Sequence, residues 1–238
     1  MTFAEMKTVG RWTGLAILAS LLIGIINAMI VSAGIDVNLS GDIGGTAAAM
    51  SDAGQRLEGR GWILMILFLL EVVAIAGLYL MVRDTRRLAA TSALLLGAGA
   101  ALIGLVGALS AFNIAALLAN GGEASRISTL IAREVAADYS SFHLSLVIAS
   151  IAKACIYWIF VLNRRLPRLI SGFGLFASGL VAVAIVARDF IPFLGSDAVT
   201  TAFMASNFVA IVATGLYMAI RGVAPSSTKL ETNEREAR

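Results

Sequence analysis

Six long apolar stretches, each bounded by charged residues, set the rhythm of the chain. They run approximately over 12–33, 62–82, 89–119, 142–162, 169–187 and 198–220. About 20 helical residues cross a hydrocarbon core of about 30 Å, so each stretch is long enough to span it. The third is longer than needed and is expected to tilt or to project past the bilayer. None alternates apolar and polar residues over about ten positions, as a barrel strand would. The pattern predicts an all-α membrane protein, a bundle of about six transmembrane helices.

Two of the connections carry a weaker apolar rhythm. Ala47, Met50, Ala53 and Leu57 recur at helical spacing within 47–60, and Ile127, Leu130, Ile131 and Val135 do so within 124–140. Both predict outer amphipathic helices that lie on the membrane surface or cap the bundle. The first two hairpins also echo one another as helix, amphipathic segment, helix and basic turn. The turns read Arg86-Arg87-Leu88 and Arg164-Arg165-Leu166. Repeats of this kind occur in transporter folds.

Composition agrees with the pattern. Of 238 residues 59% are hydrophobic and only 14% charged, and the mean hydropathy is +0.89. Soluble domains carry about 25% charged residues. The expected organisation is a single transmembrane domain over 1–221, followed by a polar, disordered cytoplasmic tail over 222–238. Lys7 and Arg11 precede the first stretch, and Val31-Ser32-Ala33 resembles a cleavage site. At about twenty residues the stretch nevertheless exceeds a signal core of about 7–15, so it reads as a retained helix. Cys155 stands alone in an apolar run and implies no disulfide framework.

Charge placement predicts orientation. Arg83, Arg86 and Arg87 follow the second stretch, Arg164, Arg165 and Arg168 the fourth, and Arg221, Lys229, Arg235 and Arg238 the sixth. In the alternate connections Arg56, Arg60, Arg126, Arg133 and Arg188 are diluted by acids such as Asp36, Asp42, Glu134 and Asp138. An excess of Lys and Arg marks the cytoplasmic side. Both termini are therefore expected in the cytoplasm of a bacterium, with the chain in its inner membrane. The basic residues form no single patch, so no nucleic-acid partner is implied. The expected partners are the bilayer and a membrane or periplasmic protein.

Several local motifs occur together: Arg11-Trp12-Thr13-Gly14, Leu78-Tyr79 before a basic turn, Phe142-His143, and Leu166-Pro167-Arg168-Leu169 followed by Gly172, Gly174 and Gly179. In this combination the chain resembles the bacterial multi-pass family catalogued as domain of unknown function 4386, over roughly residues 11–220. One departure is that the glycine the pattern places two or three residues after Pro167-Arg168 stands at Gly172. The resemblance implies the topology, and it implies no activity, cofactor or catalytic residue.

Ionisable groups inside membrane helices cost about 2.5–3.5 kcal/mol on insertion scales and mark candidate sites. Glu71 and Lys153 lie near the middle of the second and fourth stretches, at depths differing by about 3 Å. Pairing would offset most of their cost, either as a register-fixing ion pair or as a proton or substrate site. Asn207 sits at similar depth, Tyr157 falls one turn after Lys153, and Asn27, Asn113 and His143 lie nearer the outer ends. These seven residues can line a polar cavity, or each can serve only as a contact between helices. His143 is the only histidine and reads as a hydrogen-bonded interface residue rather than a metal ligand. Small residues at Ala100, Gly104 and Ala108, and at Gly107, Ala111 and Ala115, suit close helix packing.

There is no P-loop, H-E-x-x-H pair, G-x-S-x-G elbow or His/Cys cluster in the sequence. A retinal-type Schiff base at Lys153 is disfavoured by six helices rather than seven. Neither a cofactor nor a metal is expected, and the chain is not expected to be an enzyme. The first reading is a non-enzymatic structural or regulatory protein that offers its outer segments to a partner or lipid. The alternative is a small transporter or sensor with a midplane site at Glu71 and Lys153. An intramembrane protease or lipid-modifying enzyme ranks third.

Overall fold

The computed structural model describes residues 2–188 and 190–223. Its long helices are α1 (Phe3–Ile26), α4 (Gln55–Val82), α5 (Arg87–Asn120), α6 (Ala124–Asn163), α7 (Arg168–Ala187) and α8 (Asp197–Arg221). Two short helices, α2 (Val37–Ser40) and α3 (Ile43–Ser51), stand between α1 and α4. No strand occurs among the described residues. Among the described residues six helices are long and apolar enough to cross a membrane, one for each apolar stretch.

Burial shows what surrounds these helices. On α7 the buried face carries mainly small residues, Ser171, Gly174, Ala177, Ser178 and Ala184 beside Val181 and Ile185, while Leu169, Phe176 and Val183 are 84%, 59% and 65% exposed. Small and polar residues inside with large apolar residues outside reverse the order of a water-soluble helix, and they suit packing within lipid. The chain is a multi-pass membrane protein.

The amphipathic segments appear in a different form from the expected separate helices. Residues 47–60 are interrupted: α3 ends at Ser51 and α4 begins at Gln55, with Gly54 in the turn at φ +53°. Residues 124–140 run without a break into the fourth span, making α6 a helix of 40 residues and about 60 Å. Nothing in its sequence stops a helix between 124 and 163, since the stretch holds neither Pro nor Gly.

The chain packs as two compact units: Met1–Ala19, Glu71–Ala98 and Leu146–Arg238, and Ser20–Leu70 with Gly99–Ser145. In the second unit α1 ends in a π turn over Asn27–Val31, closed by the Ser32 N–H donating to the Asn27 carbonyl at 2.7 Å. Asp36 and Asp42 cap α2 and α3, accepting from Asn38 N and Gly45 N at 3.0 and 2.9 Å. Arg56 donates to the Val31 and Ala33 carbonyls, supplying partners to the end of the π turn. Both amphipathic faces are spent in one core, where Met50, Leu57, Ile131 and Val135 join Ile35, Val37 and Ile114.

In the first unit Met81 and Val82 of α4, Ala90 and Ala93 of α5, Ile159 and Phe160 of α6, and Met218 of α8 form the main core. A smaller cluster of Val181, Ala184, Ile185 and Phe203 joins α7 to α8. Val223, only 2% exposed, still belongs to the main core, and Gly222 before it is buried. The rest of the expected tail, 224–238, lies outside the described residues, as does Asp189.

Candidate functional site

The seven candidate residues divide between the units. Glu71, Lys153, Tyr157 and Asn207 fall in the first, and Asn27, Asn113 and His143 in the second.

Glu71 belongs to the packed side of α4, three residues before buried Ala74 and ten before buried Met81. That face opens at Glu71, whose side chain is exposed. Lys153 on α6 is partly exposed. Both belong to the same compact unit. No ion pair within 4.0 Å joins them among the described residues.

One turn along α6, Tyr157 is buried, and its hydroxyl shares a 2.8 Å hydrogen bond with Thr214 Oγ1 of α8. Its ring lies against Gly174 of α7, where even a methyl group would collide with it. Asn207 stands seven residues before Thr214, and Ser150 seven before Tyr157, so each pair shares a helix face. The Ser150 hydroxyl is buried and has no hydrogen-bond partner. A buried orphan hydroxyl costs about 1–3 kcal/mol. Lys153, Tyr157 and Ser150 thus form a polar stripe on α6, opposite Thr214 of α8. Ser150 and Thr214 escape a search for charges, although their seven-residue spacings were legible.

The other three residues are satisfied locally. Asn27 accepts from Ser32 Oγ at 3.2 Å, Asn113 donates to Glu134 Oε2 at 3.3 Å, and His143 Nδ1 lies 2.8 Å from the Tyr139 carbonyl. Since a carbonyl only accepts, that nitrogen carries the proton. The imidazole also meets the Tyr139 ring at a tilt and the Phe142 ring edge-on. A cavity of about 370 Å³ in the same unit is lined by Ser32, Asp36, Asp42 and Thr46 among others. Its two aspartates are the helix caps already described.

The second unit holds a charged pair that sequence reasoning missed. Arg60 Nη2 lies 2.7 Å from Asp138 Oδ2, with the two side chains 2% and 5% exposed. Arg60 Nη1 also donates to the Ile35 carbonyl at 3.4 Å. Gly107 makes space for the carboxylate: a Cβ there would come within 2.7 Å of Asp138 Oδ1. The charge pattern places both in the outer connections, yet each continues an apolar stripe. Arg60 follows Ala53 and Leu57, and Asp138 follows Ile131 and Val135.

A family model described as a domain of unknown function (DUF4386) matches residues 12–222. The chain belongs to this family. No curated protein and no solved structure matches it. The match takes in α1 from residue 12 and the whole of α4 to α8, including Glu71, Lys153, Tyr157 and Thr214. Membership agrees with the resemblance read from the short motifs, and the family's description names no activity.

Proposed function

We propose that the protein is a small transporter or sensor of a bacterial inner membrane, with both termini in the cytoplasm. Its ligand is a small charged solute held between Glu71 and Lys153. The observation that carries this reading is the pair itself, two opposite charges set in apolar helices of one unit and not joined by an ion pair within 4.0 Å among the described residues. Each charge costs about 2.5–3.5 kcal/mol in hydrocarbon, so an uncovered pair is poorly explained as a purely structural bridge. Water or a polar solute between the charges supplies what direct contact does not.

The structural or regulatory reading required the outer amphipathic faces to be offered to a partner. Those faces are consumed in a core of their own, with Leu57, Ile131 and Val135 fully buried, which weakens its mechanism. The orientation rests on the arginine-rich turns and the positive-inside rule. The absence of enzymatic activity remains part of the proposal, since Glu71 and Lys153 serve it as binding groups.

The test uses Glu71→Gln, Lys153→Met and the double variant, each compared with wild type for growth or uptake in cells that depend on the protein. Each single variant should lower activity about tenfold or more, the usual consequence of losing a charged hydrogen-bond partner, while melting within a few degrees of wild type. A well-folded double variant with full activity would reduce the pair to a structural role and overturn the reading.

A further inference from the structure

The two arginine-rich turns of the first unit meet. Val82, Ala90 and Leu166 share its main core, and Asn163 Nδ2 donates to Thr85 Oγ1 across the junction at 3.4 Å. Asn163 Oδ1 in turn accepts from the Arg165 N–H at 3.1 Å. Residues 83–87 and 164–168 together hold six arginines against one aspartate.

Five of these arginines are exposed or half-exposed, as residues that set topology should be. Arg165 departs from that pattern, being only 3% exposed. A topological signal needs charge on the correct side and does not need burial. Two of its guanidinium nitrogens, Nε and Nη1, are enclosed with no hydrogen-bond partner, while Nη2 is not enclosed in this way. Burial works against its charge and the Asp84 carboxylate supports it. Asp84 is nevertheless not within 4.0 Å of Arg165, and instead lies 3.8 Å from Arg83 Nε. A guanidinium with two enclosed, unpartnered nitrogens and no carboxylate within 4.0 Å among the described residues, in a junction whose turns carry five further arginines, lacks a ligand of opposite charge.

We infer that the junction of these turns binds a phosphate group, with Arg165 as its inner anchor and the exposed arginines as its rim. The forked guanidinium matches phosphate oxygens, and such charge-assisted bonds are about twice as strong as neutral ones. The junction lies at the ends of membrane-spanning helices, where the phosphates of lipid headgroups are found. A soluble phosphate compound offers the same chemistry. This site stands independently of the one at Glu71 and Lys153.

The full-length protein in detergent should melt higher with added phosphatidylglycerol, and not with chloride at matched ionic strength. If the natural ligand is soluble, inorganic phosphate should have the same effect; if it is a lipid, only phosphatidylglycerol should. Arg165→Gln should weaken the apparent affinity about tenfold or more, against about threefold or less for exposed Arg86→Gln. Asp84→Asn should tighten binding by removing the local competing carboxylate. No response to either anion overturns the inference, as does equal weakening by Arg165→Gln and Arg86→Gln. If Arg165→Gln does not fold, Asp84→Asn decides, and an unchanged affinity there counts against the site.

Discussion

Arg60→Met is expected to destabilise the fold by about 3–5 kcal/mol, because it leaves Asp138 charged and unpaired inside the core of its unit. Asp138→Leu should do comparable damage by stranding the guanidinium. The two changes together should restore most of the loss, since a buried ion pair replaced by apolar residues of similar volume is often neutral or stabilising. Unfolding in mixed micelles, followed by circular dichroism, would read all three variants. Single-variant losses below about 1 kcal/mol would place the pair among solvated surface bridges. The burial of both side chains and the space left at Gly107 argue against that outcome.

Gly14→Val is expected to be as damaging for a different reason. In the first unit a Cβ at Gly14 would meet the Ala219 backbone nitrogen, with the Gly215 carbonyl oxygen at 2.7 Å and Met218 Cβ at 2.8 Å. A side chain can rotate away from such a contact, but helix backbone cannot, so α1 and α8 would have to part. Overpacking a tight contact costs about 1–3 kcal/mol, and occasionally more. Valine here should exceed that range, and alanine should fall within it. Gly24 provides the control, since a Cβ there meets nothing within 4 Å. Gly24→Ala should leave the stability unchanged, or raise it by about 0.5–1 kcal/mol through helix propensity. Equal effects at Gly14 and Gly24 would refute the close approach of α1 to α8.

Gly14 also shows what a membrane sequence makes legible. Thr13 and Gly14 belong to the first motif on which the family resemblance rests, and both are packing residues. Thr13 faces Gly77 of α4 while Gly14 faces α8. Gly174 in the later motif receives the Tyr157 ring, whereas Gly172 meets nothing within 4 Å. The displaced glycine therefore leaves the packing of α7 untouched.

Spans were readable because length and apolarity are properties of single segments. Partners were harder to read. Arg60 and Asp138 are 78 residues apart, and hydropathy assigns each to a polar connection. Their burial depends on two amphipathic faces meeting one another, which no local window reports. The continuity of α6 was missed for a related reason: Asp138 and its polar neighbours looked like the end of an outer helix. Glu71 and Lys153 were legible as costly charges at shared depth. Whether an ion pair joins them depends on helix positions that periodicity does not give, and none within 4.0 Å does so among the described residues.

Chemical access to Glu71 bears most directly on the proposed site. In a Cys155→Ser background, Glu71→Cys and Val73→Cys would each be treated in intact membrane vesicles with a membrane-impermeant maleimide. The modification needs a thiolate, hence water. Val73 is 53% exposed on the same helix, among apolar neighbours, and serves as the lipid-facing reference. A polar site open to solutes predicts rapid labelling at position 71 and almost none at 73. Labelling at 71 only after the membrane is dissolved, or equal labelling at both positions, would contradict it.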